Sequence, residues 1–600
     1  MVKKRCELAQ DDLWNVEALY KTTTDWENDF KTLAGENQSP RWPEINKYRG
    51  KLNDGPENLK TALEQILTIG RKLHTLYTYA HLRHDENITD DQFKTLFNRI
   101  ITVLHDFQQE TSWFEPELLA LPDDTISSYL SSPILKDYQF YLEKIVRIKP
   151  HMLSQDQEEL MAMAGKALQA PHKAFSAIND ADFKFGKILD SNGEERELTH
   201  GTYGLYIRDQ DRILRKNAFT QMLGTYGKYE NTLAELLNGQ VQSHLFNARV
   251  RKYASCLDAA LFPKNLDTAV YHALIKAVHE GIGTLHRYIK LRKRVLGVDQ
   301  LHLYDMSVPL TAHFDMKMLY SEAEDVVISS VAPLGSEYQN ILRNGFKTQR
   351  WVDRYENENK RSGAYSSGCY DSMPYILMNY KGVIRDVFTL THEAGHSMHS
   401  YLTHQHQPYQ YGDYSIFLAE VASTFNEDLL SRTLLERATS NQEKIFLINQ
   451  KIEDIRSTLF RQTMFAEFEL FIHQMAEQNI PLTPKLLKDE FVKLNHFYFG
   501  SDALINEEIE IEWARIPHFY YNFYVFQYST GISAALALAD RVVDGGAAER
   551  EAYLSFLKGG SSLYPIEMLQ RAGVDMRSPK PVLATIAKFD QLVAQLEKLL

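Results

Sequence analysis

Cysteine is nearly absent: 600 residues hold only Cys6, Cys256 and Cys369, with no CxxC pair. So sparse and odd a set excludes a disulfide scaffold and fits a reducing compartment. Also missing is an apolar run of the ~20 residues a membrane-spanning helix requires. The most apolar stretch, TGISAALALADRVV, is broken by Asp540 and Arg541, so no membrane partner is expected. The start, MVKKRCELAQDDLWN, passes from basic into acidic and polar residues where a secretory signal would carry an apolar core; a cytoplasmic location is the expectation. Blocks of one charge are lacking too. Lys plus Arg number 66 against 79 Asp plus Glu, a formal charge of −13 spread along the chain, which argues against a phosphate-binding surface and a nucleic-acid partner. There is no repeat of fixed period and no low-complexity linker.

What is present is helical signal. Thr24 with Glu27, Thr89 with Gln92 and Ser154 with Gln157 fit the capping box, in which a hydroxyl and an acceptor three residues on satisfy orphan N–H groups. Leu59, Leu63, Ile66, Leu67 and Leu73 recur at helical spacing, as do Phe93, Leu96, Phe97, Ile100 and Leu104. One break is clear: Phe183, Phe185 and Ile188 alternate before Asn192-Gly193, which reads as a β-hairpin and a soft boundary near residue 200. A second non-helical island, GAYSSGCYDSMPYILMNYKG, precedes a run of histidines.

That run, THEAGHSMHSYLTHQ, contains His392-Glu393-x-x-His396, the HExxH pattern. By chance it would occur in roughly a few per cent of chains this long, so its context decides. On a helix Val387, Leu390, Ala394, Met398 and Tyr401 form one inward stripe, and His392, His396 and His399 fall opposite. Two imidazoles at i and i+4 can share one cation, with Glu393 placed to hold a water. A third ligand is then required. The metzincin pattern is excluded, because the places of its glycine and third histidine hold His399 and Leu402. A Glu 19 or 20 residues past the second histidine is excluded as well, since Ser415 and Ile416 stand there. SIFLAEVASTFNEDLL offers Glu420 and Glu427 on one helix face, with Ser423 and Thr424 small enough to allow a close approach. Glu420 is the better ligand and Glu427 the better partner for a ligand's ring N–H. His399 is expected to line the site, and His404 and His406 to sit in the loop joining the two helices.

HEAGHSMH followed by FLAEVASTFNE resembles the HExGHxxH and F-x-x-E-x-x-S-x-x-x-E pairing of the thimet oligopeptidase-like M3 metallopeptidases. KRSGAYSSGCYDSMPYILMNYKG, DVFTLTHEAGHSMHSY and IPHFYYNFYVFQYSTG are similar to the oligoendopeptidase F branch. The resemblance implies His392, His396 and Glu420 as ligands of one Zn2+ per chain and Glu393 as general base and acid. It implies too that a His and tyrosines of PHFYYNFYVFQYSTG stabilise the oxyanion. His518, Tyr521, Tyr524 and Tyr528 are the candidates there, each tyrosine with a rival role as a wall aromatic. The Gly363, Ala364 and Tyr365 run would offer a strand edge to a peptide. Cys369 reads as a small buried hydrophobe.

The expectation is a mainly α, zincin-like metallopeptidase: a helical N-terminal region closing over a catalytic helical region that carries a small β-sheet, enclosing a substrate channel. Segments 1–110, 111–200 and 201–600 would be the N-terminal helical region, an oligopeptidase F-type domain ending in the hairpin, and the M3 catalytic domain. The expected function is zinc-dependent hydrolysis of internal bonds in short unfolded peptides by a Glu-activated, zinc-bound water. A zinc carboxypeptidase or dipeptidase, and a metal-free helical peptide-binding scaffold, are the rivals.

Overall fold

Helices form where the apolar periodicity placed them, some with shifted starts. The structure, a computed structural model, describes residues 3–35, 38–311 and 316–600. Ser154 opens the helix Gln155–Leu168 as predicted, and Gln157 Oε1 accepts its N–H at 3.2 Å. The first box lies two residues earlier than expected. Thr22 Oγ1 accepts the Asp25 N–H and Asp25 Oδ2 accepts the Thr22 N–H, because Glu27 is held by Arg99 at 2.8 Å. Asp90 rather than Thr89 caps Asp91–Thr111, accepting from Gln92 and Phe93 N–H groups. Thr89 instead donates to Asn87.

By contacts the chain falls into two units, each discontinuous in sequence. These units and the three consecutive segments expected from sequence are different divisions of the chain. The first unit comprises Met1–Pro150, Asp315–Thr433 and Leu538–Gly573. Its long helix Pro56–Glu86 packs beside Asp91–Thr111 through buried Leu59, Leu63, Leu73 and Leu76. A three-stranded sheet lies in this unit. Tyr375–Leu377 is central, with Val352–Asp353 parallel on one side and Tyr365–Ser367 antiparallel on the other. One cluster of buried charge ties that sheet to the long helix. Asp353 accepts from Arg5 at 2.6 Å and pairs with Lys360 at 2.6 Å. Glu86, at the end of the long helix, takes Arg5 and the Trp14 ring N–H. Removing one partner of so buried a set would strand the other charge, a cost of roughly 3–5 kcal/mol.

The second unit comprises His151–Phe314, Leu434–Ala537 and Val574–Leu600. It contains the expected hairpin: Lys187–Leu189 pairs antiparallel with Glu195–Glu197, and Gly193 takes the turn's left-handed backbone at φ +79. Thr268–Leu296 and Lys580–Leu599 pack on each other so closely that a Cβ at Gly281 would stand 2.7 Å from Ile586 side-chain atoms. No helix among the described residues is long and apolar enough to cross a membrane. All three cysteines are free thiols.

Candidate metal centre

The helix Ile384–His406 buries Val387, Leu390, Ala394 and Met398 completely, while Tyr401, the last residue of the predicted stripe, is half-buried beside Trp351. Its opposite face turns His392 and His396 toward the helix Ile416–Arg437. The two backbones meet at Gly395, where an added Cβ would lie 2.6 Å from Ser423 Cα and 2.7 Å from the Ala422 oxygen. A glycine is therefore required at position 395 of this crossing. Glycine inside a helix costs roughly 1 kcal/mol against alanine, so its use here signals the contact it permits.

One ligand atom each from His392, His396 and Glu420 gathers within 4.8 Å. His392 Nε2 lies 3.3 Å from Glu420 Oε2 and 3.1 Å from His396 Nε2, and His396 Nε2 lies 3.7 Å from Glu420 Oε2. On its far side His392 Nδ1 donates to Glu427 Oε1 at 3.0 Å, which fixes the ring and leaves Nε2 for the cluster. The His396 ring is likewise bonded to the Ala419 backbone. Ser423 Oγ donates to Glu420 Oε2 at 3.2 Å.

Burial disfavours charge on all of these groups, but the carboxylates overrule it at His392, whose pKa is raised by bonds to Glu420 and Glu427. His396 is pushed down by burial and by the neighbouring His392. Glu420, despite burial, is held low by its bond and attraction to His392. The cluster thus draws positive charge to the point where the two imidazoles and one carboxylate converge. Two nitrogens and an oxygen, with His392 held from behind by Glu427, are the donor set of a catalytic zinc site with a position left open. The residues fit the group.

Glu393 stands next to the ligands, nearly buried, and burial raises its pKa. The Ser366 backbone N–H bonds its carboxylate. That strand is itself tied to the histidine helix, Ser366 Oγ to Ser397 Oγ at 2.7 Å, and to the long N-terminal helix, Tyr365 O–H to buried Asp85 at 2.8 Å. Gly363 and Ala364 lead into this edge strand; Gly363 adopts φ +87 and its carbonyl accepts from Asn379 at 2.8 Å.

Several expectations are corrected. His404 and His406 belong to the last turn of the histidine helix, which ends only at Gln407, where extended backbone precedes Pro408. His399 is a core residue. It is 1 % exposed, stacked 3.7 Å from the Tyr414 ring, and held neutral by burial. Cys369 is buried as expected, its Sγ 3.8 Å from Thr75 Oγ1.

The four other candidates lie in the second unit, where they come together. His518 has the rings of Tyr521, Tyr524 and Tyr528 at 5.7, 5.9 and 5.7 Å, and Tyr528 O–H lies 3.3 Å from His518 Nε2. Burial lowers the His518 pKa. Tyr521 and Tyr524 flank two consecutive left-handed residues, Asn522 at φ +50 and Phe523 at φ +58. Such backbone costs energy in non-glycine residues and persists only where the surroundings hold it. Glu469 does so. Fully buried, it accepts the Phe523 N–H at 2.6 Å, and burial pushes its pKa up to about 8. The sequence carries no local sign of this bond, which spans 54 positions.

A family profile described as Peptidase family M3 matches residues 205–588, and one described as Oligopeptidase F matches 117–185. Oligopeptidase PepF of Bacillus subtilis is 42 % identical over 597 residues, 99 % of this chain and 88 % of that one. Group B oligopeptidase PepB of Streptococcus agalactiae is 38 % identical over 600 residues, covering 100 % and 99 %. The crystal structure of oligoendopeptidase-F from Enterococcus faecium superposes with TM-score 0.72 at 35 % identity, covering 96 % of this chain and 99 % of that one. A Chlamydophila abortus chain of known structure gives TM-score 0.96 at 40 % identity, with both chains covered in full.

Proposed function

The chain belongs to peptidase family M3, in its oligoendopeptidase F branch, and on that premise we propose that it holds one zinc ion through His392, His396 and Glu420 and cuts internal bonds of short unfolded peptides. Members of this family are metalloendopeptidases, so the carboxypeptidase and metal-free scaffold readings fall away. The carrying observation is the convergence of the three donor atoms within 4.8 Å, with Glu427 bonded behind His392.

A bound zinc ion supplies Lewis acidity, lowering the pKa of water and polarising a carbonyl. The chain's own residues then do the following. Glu393 takes a proton from the attacking water and returns it to the leaving amine. The Ser366 N–H keeps that carboxylate aimed, and Asp85, through Tyr365, keeps the strand in register. Glu427 and the Ala419 backbone lock the two imidazoles, so neither ring rotates as charge develops. The edge running from Gly363 and Ala364 into Tyr365 pairs with an extended peptide backbone. His518, Tyr521, Tyr524 and Tyr528 offer N–H and O–H donors to the oxyanion, a role supported by their gathering round one imidazole. The segments 1–110, 111–200 and 201–600 keep their assignment as helical region, oligopeptidase F-type domain and catalytic domain. Free thiols at all three cysteines support a cytoplasmic location.

Cleavage mapping by mass spectrometry tests this reading, using a mixed peptide library, a long disordered chain and an intact folded protein. Cuts at internal bonds of the unfolded chains, with the folded protein spared, are expected. A folded domain would first have to unfold, at about 5–15 kcal/mol. Release of only the last one or two residues, or rapid cleavage of the folded protein, would contradict it.

A further inference from the structure

Next to the ligand atoms, within the first unit, a cleft of about 570 Å³ opens between the long N-terminal helix, the loop after the edge strand and the loop joining the two metal-site helices. His396 and Glu420 form one end of its wall, so a peptide with its scissile bond at the metal would place a flanking side chain there. The wall is rich in rings: Tyr77, Tyr370, Tyr409 and Tyr414. Beyond the ligand Glu420 it has one carboxylate, Asp413, and no lysine or arginine.

The nearby cations are already paired. Arg71 makes a two-pronged pair with Asp371, at 2.6 and 2.5 Å, and lies 4.5 Å over the Tyr370 ring. Lys144, which senses Asp413, donates to the Ser561 carbonyl at 3.1 Å and sits over the Phe140 and Tyr411 rings; burial lowers its pKa. Burial lowers the pKa of the imidazoles facing the cleft, His74 and His404, against the pull of Asp413. His74 is further occupied with Tyr409 O–H at 3.1 Å. The Asp413 carboxylate is exposed and accepts no hydrogen bond from a described side chain.

Away from the metal end, an acidic side chain in this cleft would meet the Asp413 carboxylate, with the neighbouring arginine and lysine already paired. A long basic one could run its methylene stem past the tyrosine rings, one face of Tyr370 and of Tyr409 being taken by Arg71 and one of Tyr414 by His399, while its charge reaches Asp413. We propose that the cleft is a specificity pocket for a residue flanking the scissile bond, selecting lysine or arginine through Asp413 and the tyrosine rings. This rests on the metallopeptidase reading and adds the side-chain class that the site prefers.

The test uses zinc-loaded enzyme and peptides that differ only at one residue on either side of the scissile bond, carrying Lys, Arg, Leu or Glu there. At one flanking position kcat/KM should fall in the order Lys or Arg, Leu, Glu, with about tenfold between the extremes, the scale of a partly screened ion pair plus a cation–ring contact. In D413N the Lys-to-Leu ratio should approach one, and in D413K the order should reverse, Glu leading. Ratios taken within each variant do not depend on the fraction of folded enzyme. An unchanged Lys-to-Glu ratio in D413N, or no preference at either position in the unmodified enzyme, would overturn the pocket while leaving the metallopeptidase reading in place. Failure to cut even the Leu peptide would overturn that reading and the pocket with it.

Discussion

The two groups of candidate residues are held in opposite ways. In the first unit the ligands project from two helices whose backbones touch at Gly395; Glu427 bonds the far nitrogen of His392, the Ala419 backbone bonds His396, and Ser423 bonds Glu420. In the second, Tyr521 and Tyr524 ride on a left-handed turn, kept in place by one buried carboxyl, and surround His518 mainly by ring packing. A cation of fixed coordination geometry calls for donors that do not move. An oxyanion forms and collapses within each turnover, and donors on a turn can adjust to it. Substitutions in the first group should therefore be read in metal content, and those in the second in kcat.

Glu393, beside the ligands but not one of them, should give the largest effect. E393Q keeps shape and loses the proton acceptor, so zinc content should hold while kcat falls by about 10²–10⁴; activity within about tenfold of the unmodified enzyme would remove Glu393 from the general-base role. Next in size is the tyrosine group. Whichever of Tyr521, Tyr524 and Tyr528 donates to the oxyanion should lose about 10²–10³ in kcat on change to Phe, with KM and zinc content nearly steady. If all three Phe variants stay near the parent rate, these rings are wall aromatics and the contrast fails on that side. E427Q should sharpen the other side by weakening zinc binding about 10–100-fold, measured by competition with a chelator, because it loosens the bond behind His392.

The smallest effect is one of pH. Glu469 has a folded pKa raised to about 8 from an ordinary 4.5. Above pH 4.5 the unfolded chain releases this proton and the folded one keeps it, so stability should decline as pH rises toward 8 and level off beyond. E469Q, which has no proton to release, should flatten that part of the curve in thermal melts from pH 5 to 9. A parallel curve would mean that Glu469 is already ionised in the fold.

Which features were legible in the sequence follows the same divide. His392, Glu393, His396, Glu420 and Glu427 lie within 36 residues on two helices, so helical periodicity alone puts them on facing surfaces. Gly395 could have been read as a close approach from its place inside a helix, and the end of that helix from Gln407-Pro408, which would have kept His404 and His406 out of the loop. The bonds that aim the strand and the tyrosine turn were not legible. Asp85 meets Tyr365 across 280 positions, and Glu469 meets Phe523 across 54; no periodicity links such pairs. The cap shift at Thr22 shows the same limit, since a distant Arg99 engages Glu27.

The most direct test of the central claim is to count zinc and activity together. Purified enzyme, enzyme stripped with a chelator, and the E420A variant would be assayed for metal by mass spectrometry and for cleavage of an internal-bond peptide, followed by stepwise return of zinc. The account predicts one zinc per chain, loss of metal and cleavage together on stripping, recovery complete at one equivalent, and little metal or activity in E420A. Cleavage that persists in zinc-free protein, or full zinc content in E420A, would contradict it.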